Sequence, residues 1–209
     1  VAVDGPSGSG KSSLAGPLAA AIADNLGGSV VAPESRARKH GRAAGDGPSE
    51  APTNDATTGT GAPGSAPRRV EGPRVAVVST DLLATWEHPF DWWPTLEEHL
   101  LQPLAEERAT SLPTVAWVDG APAEGGTLVI DDLDVLVLEG VSSGRRTIAE
   151  RLTALVWVEV PDAAERLERA VGRDGEASRP LLAQWQRDEA EHFALDRTRD
   201  RADVVIDPR

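Results

Sequence analysis

Apolar residues recur along the chain in two patterns, one typical of buried strands and one typical of helices. Short runs rich in β-branched residues occur at 1–4, 74–80, 135–138 and 155–160. Between them lie stretches with Leu or Ala at helical spacing, at 12–26, 94–107, 145–153 and 180–195. Strands that alternate with helices favour an α/β fold, in which a central parallel sheet is flanked by helices.

Shorter signals complete this pattern. Residues 113–118, 127–130 and 202–206 predict three further strands, the first two of them around a turn at Asp119-Gly120. The pair Pro161-Asp162 is typical of a helix start, because Pro fits the first turn and Asp complements the helix dipole. A charged helix is therefore expected from there to Arg169.

The segment from residue 33 to 73 interrupts the pattern. Of the 27 residues from Gly41 to Pro67, 22 are Gly, Ala, Pro, Ser or Thr, and none is aromatic. Such a segment cannot bury enough apolar surface to offset its ordering entropy. Because a strand follows directly at Arg74, we expect a single domain over residues 1–209 that carries 33–73 as a disordered insertion.

Composition excludes several classes of function. The chain has 21 Lys and Arg against 34 Asp and Glu, a net charge of −13, which argues against a general nucleic-acid binder. It lacks a run of about 18 apolar residues, so no membrane span is predicted. Four scattered His without Cys do not indicate a zinc site. The chain begins on Val1 inside an apolar stretch and contains no Met, which we interpret as a truncated start. We expect a cytoplasmic protein, and the sequence does not indicate its oligomeric state.

A phosphate-binding loop is predicted between the first strand and the first helix. The pattern G-x-x-x-x-G-K-[ST] lets backbone N–H groups wrap phosphate oxygens, and the helix adds a positive N-terminus. In this pattern Lys11 reaches the β- and γ-phosphates, and the Ser12 hydroxyl ligates Mg²⁺. The sequence therefore predicts binding of ATP and Mg²⁺. The predicted binding residues are Gly5, Pro6, Ser7, Gly8, Ser9, Gly10, Lys11, Ser12 and Ser13.

A carboxylate ends the apolar strand at 135–138. Glu139 can hold Mg²⁺ or its water shell, or orient the reaction; the alternative is an ordinary charge at a strand end. The aspartates that precede this strand, Asp131, Asp132 and Asp134, are expected to be solvated. We favour Glu139 as a metal-site residue together with Ser12.

The order of six segments resembles the uridine kinase-like group of small P-loop kinases, which includes phosphoribulokinase and nicotinamide riboside kinase. The segments are GPSGSGKS at 5–12, STDLLATW at 79–86, EHPFDW at 87–92, LEGV at 138–141, RDGEASR at 173–179 and RADVVID at 201–207. The resemblance extends over the chain except the insertion, and the tail is similar to that of actinobacterial-type members. It implies a P-loop NTPase fold with a small helical lid near 170–185. It also implies ATP-dependent phosphorylation of a hydroxyl on a small molecule, in this group the 5′-hydroxyl of a nucleoside.

The resemblance implies roles for residues on the acceptor side. In this group an Asp after the second strand accepts the hydroxyl proton, and Asp81 is the carboxylate at that place. The group's motif there is Asp-x-Phe-Tyr or Asp-Asp-Phe-Tyr. If Leu82-Leu83 is aligned with the aromatic pair, Thr80 takes the position of the first Asp and Asp81 that of the second. The segment Glu87-His88-Pro89 stands where the group has Asp-His-Pro against ribose hydroxyls, and either Glu87 or Asp91 can supply the carboxylate.

Two further features concern the acceptor ring and the lid. Val115-Ala116 replace the group's Tyr-Asp pair, so a pyrimidine loses hydrogen-bond partners there and the substrate cannot be carried over. Trp117 follows, and it either stacks on a ring or belongs to the core. In the lid, the resemblance implies that Arg173 and Arg179 clamp the ATP phosphates.

Three functions remain open at this stage. The first is a kinase that phosphorylates a hydroxyl of a nucleoside-like small molecule. The second is a nucleoside monophosphate kinase, which would need more basic residues than the single Arg108 in 87–120. The third is an ATP-binding module with little catalysis, which is favoured by the departures from the group's acceptor motifs at Thr80-Asp81 and Val115-Ala116. ATP turnover stimulated by an acceptor separates the first two from the third.

Overall fold

The computed structural model describes residues 1–36, 72–118 and 120–208. The strands of this part are β1 (Ala2–Asp4), β2 (Ser29–Val30), β3 (Glu34–Arg36), β4 (Arg74–Ser79), β5 (Leu112–Val118), β6 (Ala121–Val129), β7 (Val135–Glu139), β8 (Leu155–Val158) and β9 (Val204–Ile206). The α-helices are α1 (Lys11–Leu26), α2 (Trp93–Leu96), α3 (Gln102–Ala105), α4 (Ala163–Asp174) and α5 (Arg179–Asp196).

A six-stranded sheet forms the centre, and its strands lie in the order β2-β4-β7-β1-β8-β9. Every neighbouring pair in it is parallel. The α/β fold with a central parallel sheet is thereby confirmed. Because β1, β7 and β4 are neighbours, the residues that follow their carboxyl ends share one edge of the sheet, where parallel α/β folds bind ligands.

One face of the sheet is covered by α1. Its residues Ala15, Ala19 and Ala23 repeat every fourth position and are buried against Val3 and Val75 of two central strands. These small side chains bring the helix close to the sheet.

The opposite face is covered by the helical segment around α2 and α3. A π-helical turn over Glu97–Leu101 joins the two helices, and its Leu100 is fully buried beside Leu96 and the sheet residue Val78. The predicted helix at 94–107 thus forms with an irregular centre. The predicted helix at 145–153 is a 3₁₀ helix over Arg146–Arg151.

A second sheet contains β3, β6 and β5 in antiparallel order. The strand predicted at 113–118 is confirmed as β5, and β3 was not predicted. The strand expected at 127–130 is longer and runs over Ala121–Val129. The first residues of the predicted insertion need a correction, because Glu34–Arg36 pair with Thr127–Val129 as a strand instead of beginning a disordered segment. Residues 37–71 of that prediction lie outside the described residues.

The predicted lid region, near 170–185, comprises the end of α4, a short connection and the beginning of α5. Helix α4 begins after Asp162, whose carboxylate accepts hydrogen bonds from the backbone N–H groups of Ala164 and Glu165, as expected for a helix N-cap. A 3₁₀ turn over Glu176–Ser178 connects α4 to α5.

Among the helices of the described ranges, none has the length and apolarity needed to cross a membrane.

Candidate active site

The loop after β1 has the geometry that its glycines predict. Gly8 and Gly10 adopt φ of 75° and 95°, in the left-handed region that favours glycine. At Gly8 a Cβ atom would lie 2.4 Å from the carbonyl oxygen of Arg166 in α4, so the loop can approach that helix only without a side chain. Helix α1 begins directly after Gly10, at Lys11. The loop therefore leads into a helix N-terminus, as an anion site requires.

Lys11 is held close to the loop. Its side chain is buried, and Nζ donates a 2.9 Å hydrogen bond to the carbonyl oxygen of Pro6. An ammonium group has three N–H donors, so this contact leaves two for phosphate oxygens. The role of Lys11 at the β- and γ-phosphates stays a prediction.

The hydroxyl of Ser12 contacts the carboxylate of Glu139. The Oγ atom lies 3.2 Å from both Oε1 and Oε2, although 127 residues separate the two positions. Glu139 is buried at the end of β7, and this burial raises the pKa of its carboxyl group. A hydrogen bond from Ser79 lowers that pKa, whereas the negative charge of Asp81 raises it further. The structure thus brings the two predicted metal-site residues together.

These two residues fit a magnesium ion. Mg²⁺ prefers hard oxygen ligands and is held by one or two carboxylates together with substrate phosphates and water. Ser12 and Glu139 supply a hydroxyl and a carboxylate beside the phosphate loop. Within residues 1–36, 72–118 and 120–208, no group of three or more His or acidic side chains could hold a metal by itself. The donor set therefore suits an ion that arrives with a nucleotide.

A cleft of about 800 Å³ extends from the phosphate loop. Predicted site residues from five separate parts of the chain line it, among them Lys11, Ser12, Asp81, Trp117, Glu139 and Arg173. Gly8, Gly10, Ser7 and Ser13 of the loop also line it. The cleft is the place where the predicted phosphate, metal and acceptor groups meet.

Asp81 is the carboxylate that follows β4 in the cleft. Its backbone N–H donates a 3.2 Å hydrogen bond to Oγ of Ser79, and its side chain is exposed. Thr80, which aligns with the group's first Asp, is buried, and its Oγ1 donates to the carbonyl oxygen of Val141. Of these two residues, Asp81 alone lines the cleft.

The lid arginines differ in position. Arg173 lines the cleft and forms a bidentate pair with Asp174, at 2.7 Å for both contacts. That hydrogen bond raises the pKa of Arg173, and the negative charges of Asp81 and Glu139 raise it further.

Arg179 does not line the cleft. Its guanidinium group lies between Glu168 and Glu176, with contacts of 2.6 and 2.5 Å. The structure therefore does not bring Arg179 to the place that its predicted catalytic role requires.

Three predicted acceptor residues also lie elsewhere. Glu87, His88 and Asp91 are exposed and are not among the described residues that line the cleft. His88 Nδ1 lies 3.3 Å from Oδ2 of Asp91, so these two side chains pair with each other at the surface. In this arrangement the loop does not bring these three side chains to the cleft that contains Asp81.

Sequence reasoning missed two buried carboxylates beside the phosphate loop. Asp4 is fully buried at the end of β1 and accepts hydrogen bonds from the backbone N–H groups of Gly5, Ser142 and Gly144. Glu189 of α5 accepts one from Ser7. The position of Asp4 between an apolar strand and a glycine loop was an available signal, but Glu189 stands in a charged helix where nothing distinguishes it.

Comparison with solved structures finds the same fold in P-loop kinases. A possible uridine kinase from Bacillus stearothermophilus superposes with a TM-score of 0.54 and 16% sequence identity, over 99% of this chain and 86% of that chain. A candidate fructose transport system kinase from Silicibacter sp. TM1040 gives a TM-score of 0.52 and 18% identity, over 98% of this chain and 87% of that chain. Protein-family models and curated protein sequences give no match. At these identities the likeness establishes the fold alone.

Proposed function

We propose that this protein transfers the γ-phosphoryl group of ATP to a hydroxyl group of a small molecule, with a nucleoside as the acceptor that the resemblance favours. The contact between Ser12 and Glu139 carries this proposal, because it couples a phosphate loop to a buried carboxylate in the cleft that also contains Asp81. The fold shared with P-loop kinases supports the same class of reaction.

The phosphate end of the cleft binds the nucleotide. Backbone N–H groups of residues 8–13 and the start of α1 hold the phosphate oxygens, and Lys11 adds a positive charge. Ser12 and Glu139 would hold Mg²⁺, and the ion would supply positive charge beside the phosphate loop. Glu139 has to be ionised for this role, so metal binding strengthens as pH rises through its raised pKa.

The acceptor hydroxyl approaches the γ-phosphorus from the side of Asp81. Its oxygen forms the new P–O bond while the bond from the γ-phosphorus to the bridging oxygen breaks, and ADP leaves. The hydroxyl proton passes to the Asp81 carboxylate, which orients the hydroxyl before transfer. The products are ADP, a phosphate monoester and one proton, so the reaction balances without another reactant.

Arg173 stabilises the charge that moves between donor and acceptor. Its side chain lines the same cleft as Asp81 and Glu139. A cation fixed at such a place lowers the barrier more than it strengthens substrate binding. Arg169 lines the same cleft and forms a 2.6 Å contact with Glu165 in α4.

A nucleoside monophosphate kinase is less well supported. Such an enzyme needs cations for the acceptor's own phosphate, and Arg108 is the one Lys or Arg between residues 87 and 120. Arg108 does not line the cleft and pairs with Glu106 at 2.6 Å. An alcohol acceptor therefore fits better.

ADP production from Mg·ATP tests the proposal. Turnover is measured with nucleosides, nucleoside monophosphates and small polyols, in the parent protein, in Lys11→Ala and in Arg36→Ala as a surface control. We expect at least one alcohol to raise turnover in the parent and in the control but not in Lys11→Ala. ATP binding without stimulation by any acceptor would instead support a binding module.

A further inference from the structure

The loop that follows β7 is bound to the start of the phosphate loop. Oδ1 of the buried Asp4 accepts hydrogen bonds from the backbone N–H groups of Gly5 and Ser142, at 2.7 and 2.8 Å. Its Oδ2 accepts a third, from Gly144, at 2.8 Å. One carboxylate thus joins the phosphate loop to the loop that begins directly after Glu139.

Ser142 is held from two sides in a backbone conformation that it would not otherwise favour. Its φ of 70° lies in the left-handed region, which residues other than glycine seldom adopt. Its N–H group is bound by Asp4, whereas its carbonyl oxygen and its Oγ accept from Nε of Arg145, at 3.3 and 3.0 Å. Such a conformation persists only where the surrounding structure fixes it. Asp4 and Arg145 together therefore define the shape of this loop.

The tip of the Arg145 side chain holds a distant part of the chain. Nη2 donates a 2.9 Å hydrogen bond to the carbonyl oxygen of Phe90, 55 residues away. Cζ lies 4.5 Å from the ring centroid of Trp92 and 5.2 Å from that of Trp93, at distances typical of cation–π contacts. Arg145 thus holds the segment at residues 85–92, which precedes α2 and which we call the acceptor loop.

The acceptor loop reaches the cleft through Trp86. This residue lines the cleft, and its Nε1 donates a 2.9 Å hydrogen bond to the carbonyl oxygen of Gly120. The turn after it is closed by the N–H of His88, which donates to Oγ1 of Thr85 at 3.1 Å. The part of the loop that Arg145 holds is therefore only a few residues from the acceptor side of the cleft.

We propose that Arg145 is a positioning residue that couples the two ends of the cleft, so that a nucleotide at the phosphate loop orders the acceptor loop and a bound acceptor strengthens nucleotide binding in return. This inference rests on the proposed function and deepens it, because it concerns how the substrates of one site regulate each other. Coupling between two binding sites is reciprocal by thermodynamic necessity. Arg145 is not among the described residues that line the cleft, so it acts through Ser142 on one side and Phe90 on the other.

Hydrogen exchange of the full chain tests the inference without knowledge of the acceptor. Backbone amide exchange in peptides that cover residues 85–92 is measured with and without saturating Mg·AMPPNP, an ATP analogue that is not hydrolysed. The variants are Arg145→Met, which keeps much of the side-chain length, and Arg145→Lys, which keeps the charge but loses the planar fork. The control is Arg146→Met, because this exposed neighbour donates to the carbonyl oxygen of Asp196 instead.

We expect Mg·AMPPNP to slow exchange in the acceptor loop about tenfold in the parent and in Arg146→Met. In Arg145→Met the phosphate loop should still be protected, whereas the acceptor loop should exchange at nearly the same rate with and without nucleotide. Arg145→Lys should recover little, because one ammonium group cannot bind Ser142 and Phe90 together. The ratio of the two rates is decisive, since a merely structural loss would raise both rates alike.

Each other result decides against the inference, the proposed function or both. Equal nucleotide-dependent protection of the acceptor loop in the parent and in Arg145→Met would overturn the inference alone, and so would protection confined to the phosphate loop in the parent. If Arg145→Met does not fold, the same ratio in Arg145→Lys decides. A parent that binds no nucleotide would overturn both. Protection that depends on Arg145 would uphold the coupling even if no alcohol is phosphorylated, in which case the proposed function alone fails.

Discussion

The backbone N–H of Ser7 donates a 2.9 Å hydrogen bond to Oε2 of Glu189, across 182 residues of sequence. Glu189 is only 1% exposed, and its Oε1 has no hydrogen-bond partner among the described residues. Burial raises the pKa of its carboxyl group, against the lowering effect of the Ser7 contact and of Lys11. Helix α5, which carries one tryptophan of the cleft, is thereby joined to the phosphate loop.

Loss of the Glu189 carboxylate should destabilise the protein and weaken ATP binding. Glu189→Ala leaves the Ser7 N–H without a partner and opens a cavity, which together cost about 3 kcal/mol of unfolding free energy. Glu189→Gln keeps an oxygen for the Ser7 N–H, so it should lose much less. Urea denaturation and ATP titration of both variants measure these effects, with the exposed Glu191→Ala on the same helix as control. Equal losses in Glu189→Ala and Glu189→Gln would contradict this account.

Asp4 should make stability depend on pH. Burial raises the pKa of its carboxyl group to about 6, although three backbone N–H bonds and Lys11 act in the opposite direction. The unfolded chain releases this proton at the ordinary aspartate pKa of 3.8, whereas the folded protein keeps it to higher pH. The contribution of Asp4 to stability is full below pH 3.8 and is lost as pH rises to about 6 and beyond.

The measurement for Asp4 compares unfolding free energies at about pH 4 and about pH 7. Between these values we expect the titration of Asp4 to lower the unfolding free energy of the parent by roughly 2 kcal/mol. Asp4→Asn cannot titrate, so its stability should fall less over the same interval, although it loses one backbone hydrogen bond at every pH. Parallel pH profiles for parent and variant would show that Asp4 does not titrate in this range.

Sequence alone predicted the parts of the site that local patterns encode. The loop from Gly5 to Ser12 and the strand that ends in Glu139 depend on residues close together in the chain, so their geometry follows from spacing. Strands β5 and β6 pair across a short turn and were predicted at 113–118 and 127–130, whereas β3 was missed because it pairs with β6 across the segment from Arg36 to Thr127. Such pairing leaves no local pattern.

Sequence patterns likewise could not predict which side chains of the lid and the acceptor loop face the cleft. Arg173 and Arg179 occupy similar positions in a charged motif, yet only Arg173 lines the cleft. Which of two nearby arginines faces a site depends on the angle between α4 and α5 and on partners such as Glu168. The same holds for Trp86 and Trp185, whose contact depends on how α5 packs over the sheet.

Removal of the Glu139 charge should weaken Mg²⁺ binding more than nucleotide binding. Glu139→Gln keeps the size of the side chain and an oxygen for the Ser12 hydroxyl but removes the charge that holds the ion. We expect half-saturating Mg²⁺ to rise and kcat to fall about 10- to 100-fold. The control is Glu34→Gln at an exposed site on β3. An unchanged Mg²⁺ dependence would remove Glu139 from the metal site.

The two lid arginines should differ in their effect on turnover. Arg173→Ala removes a cation from the cleft and should lower kcat about 100-fold with a smaller change in the KM of ATP. Arg179→Ala breaks surface pairs with Glu168 and Glu176 and should leave kcat within a few-fold of the parent. Steady-state kinetics of both variants decide this. A loss in Arg179→Ala as large as in Arg173→Ala would show that Arg179 reaches the reacting phosphate.

The measurement that tests the central claim most directly is the ratio of phosphorylated acceptor to ADP, followed by ³¹P NMR in the parent, in Asp81→Asn and in the exposed control Asp131→Asn. We predict one phosphate monoester for each ADP in the parent and the control. Asp81→Asn should still bind ATP but transfer at least about 100-fold more slowly. ADP formed without a phosphate monoester, or transfer at the parental rate in Asp81→Asn, would contradict the account.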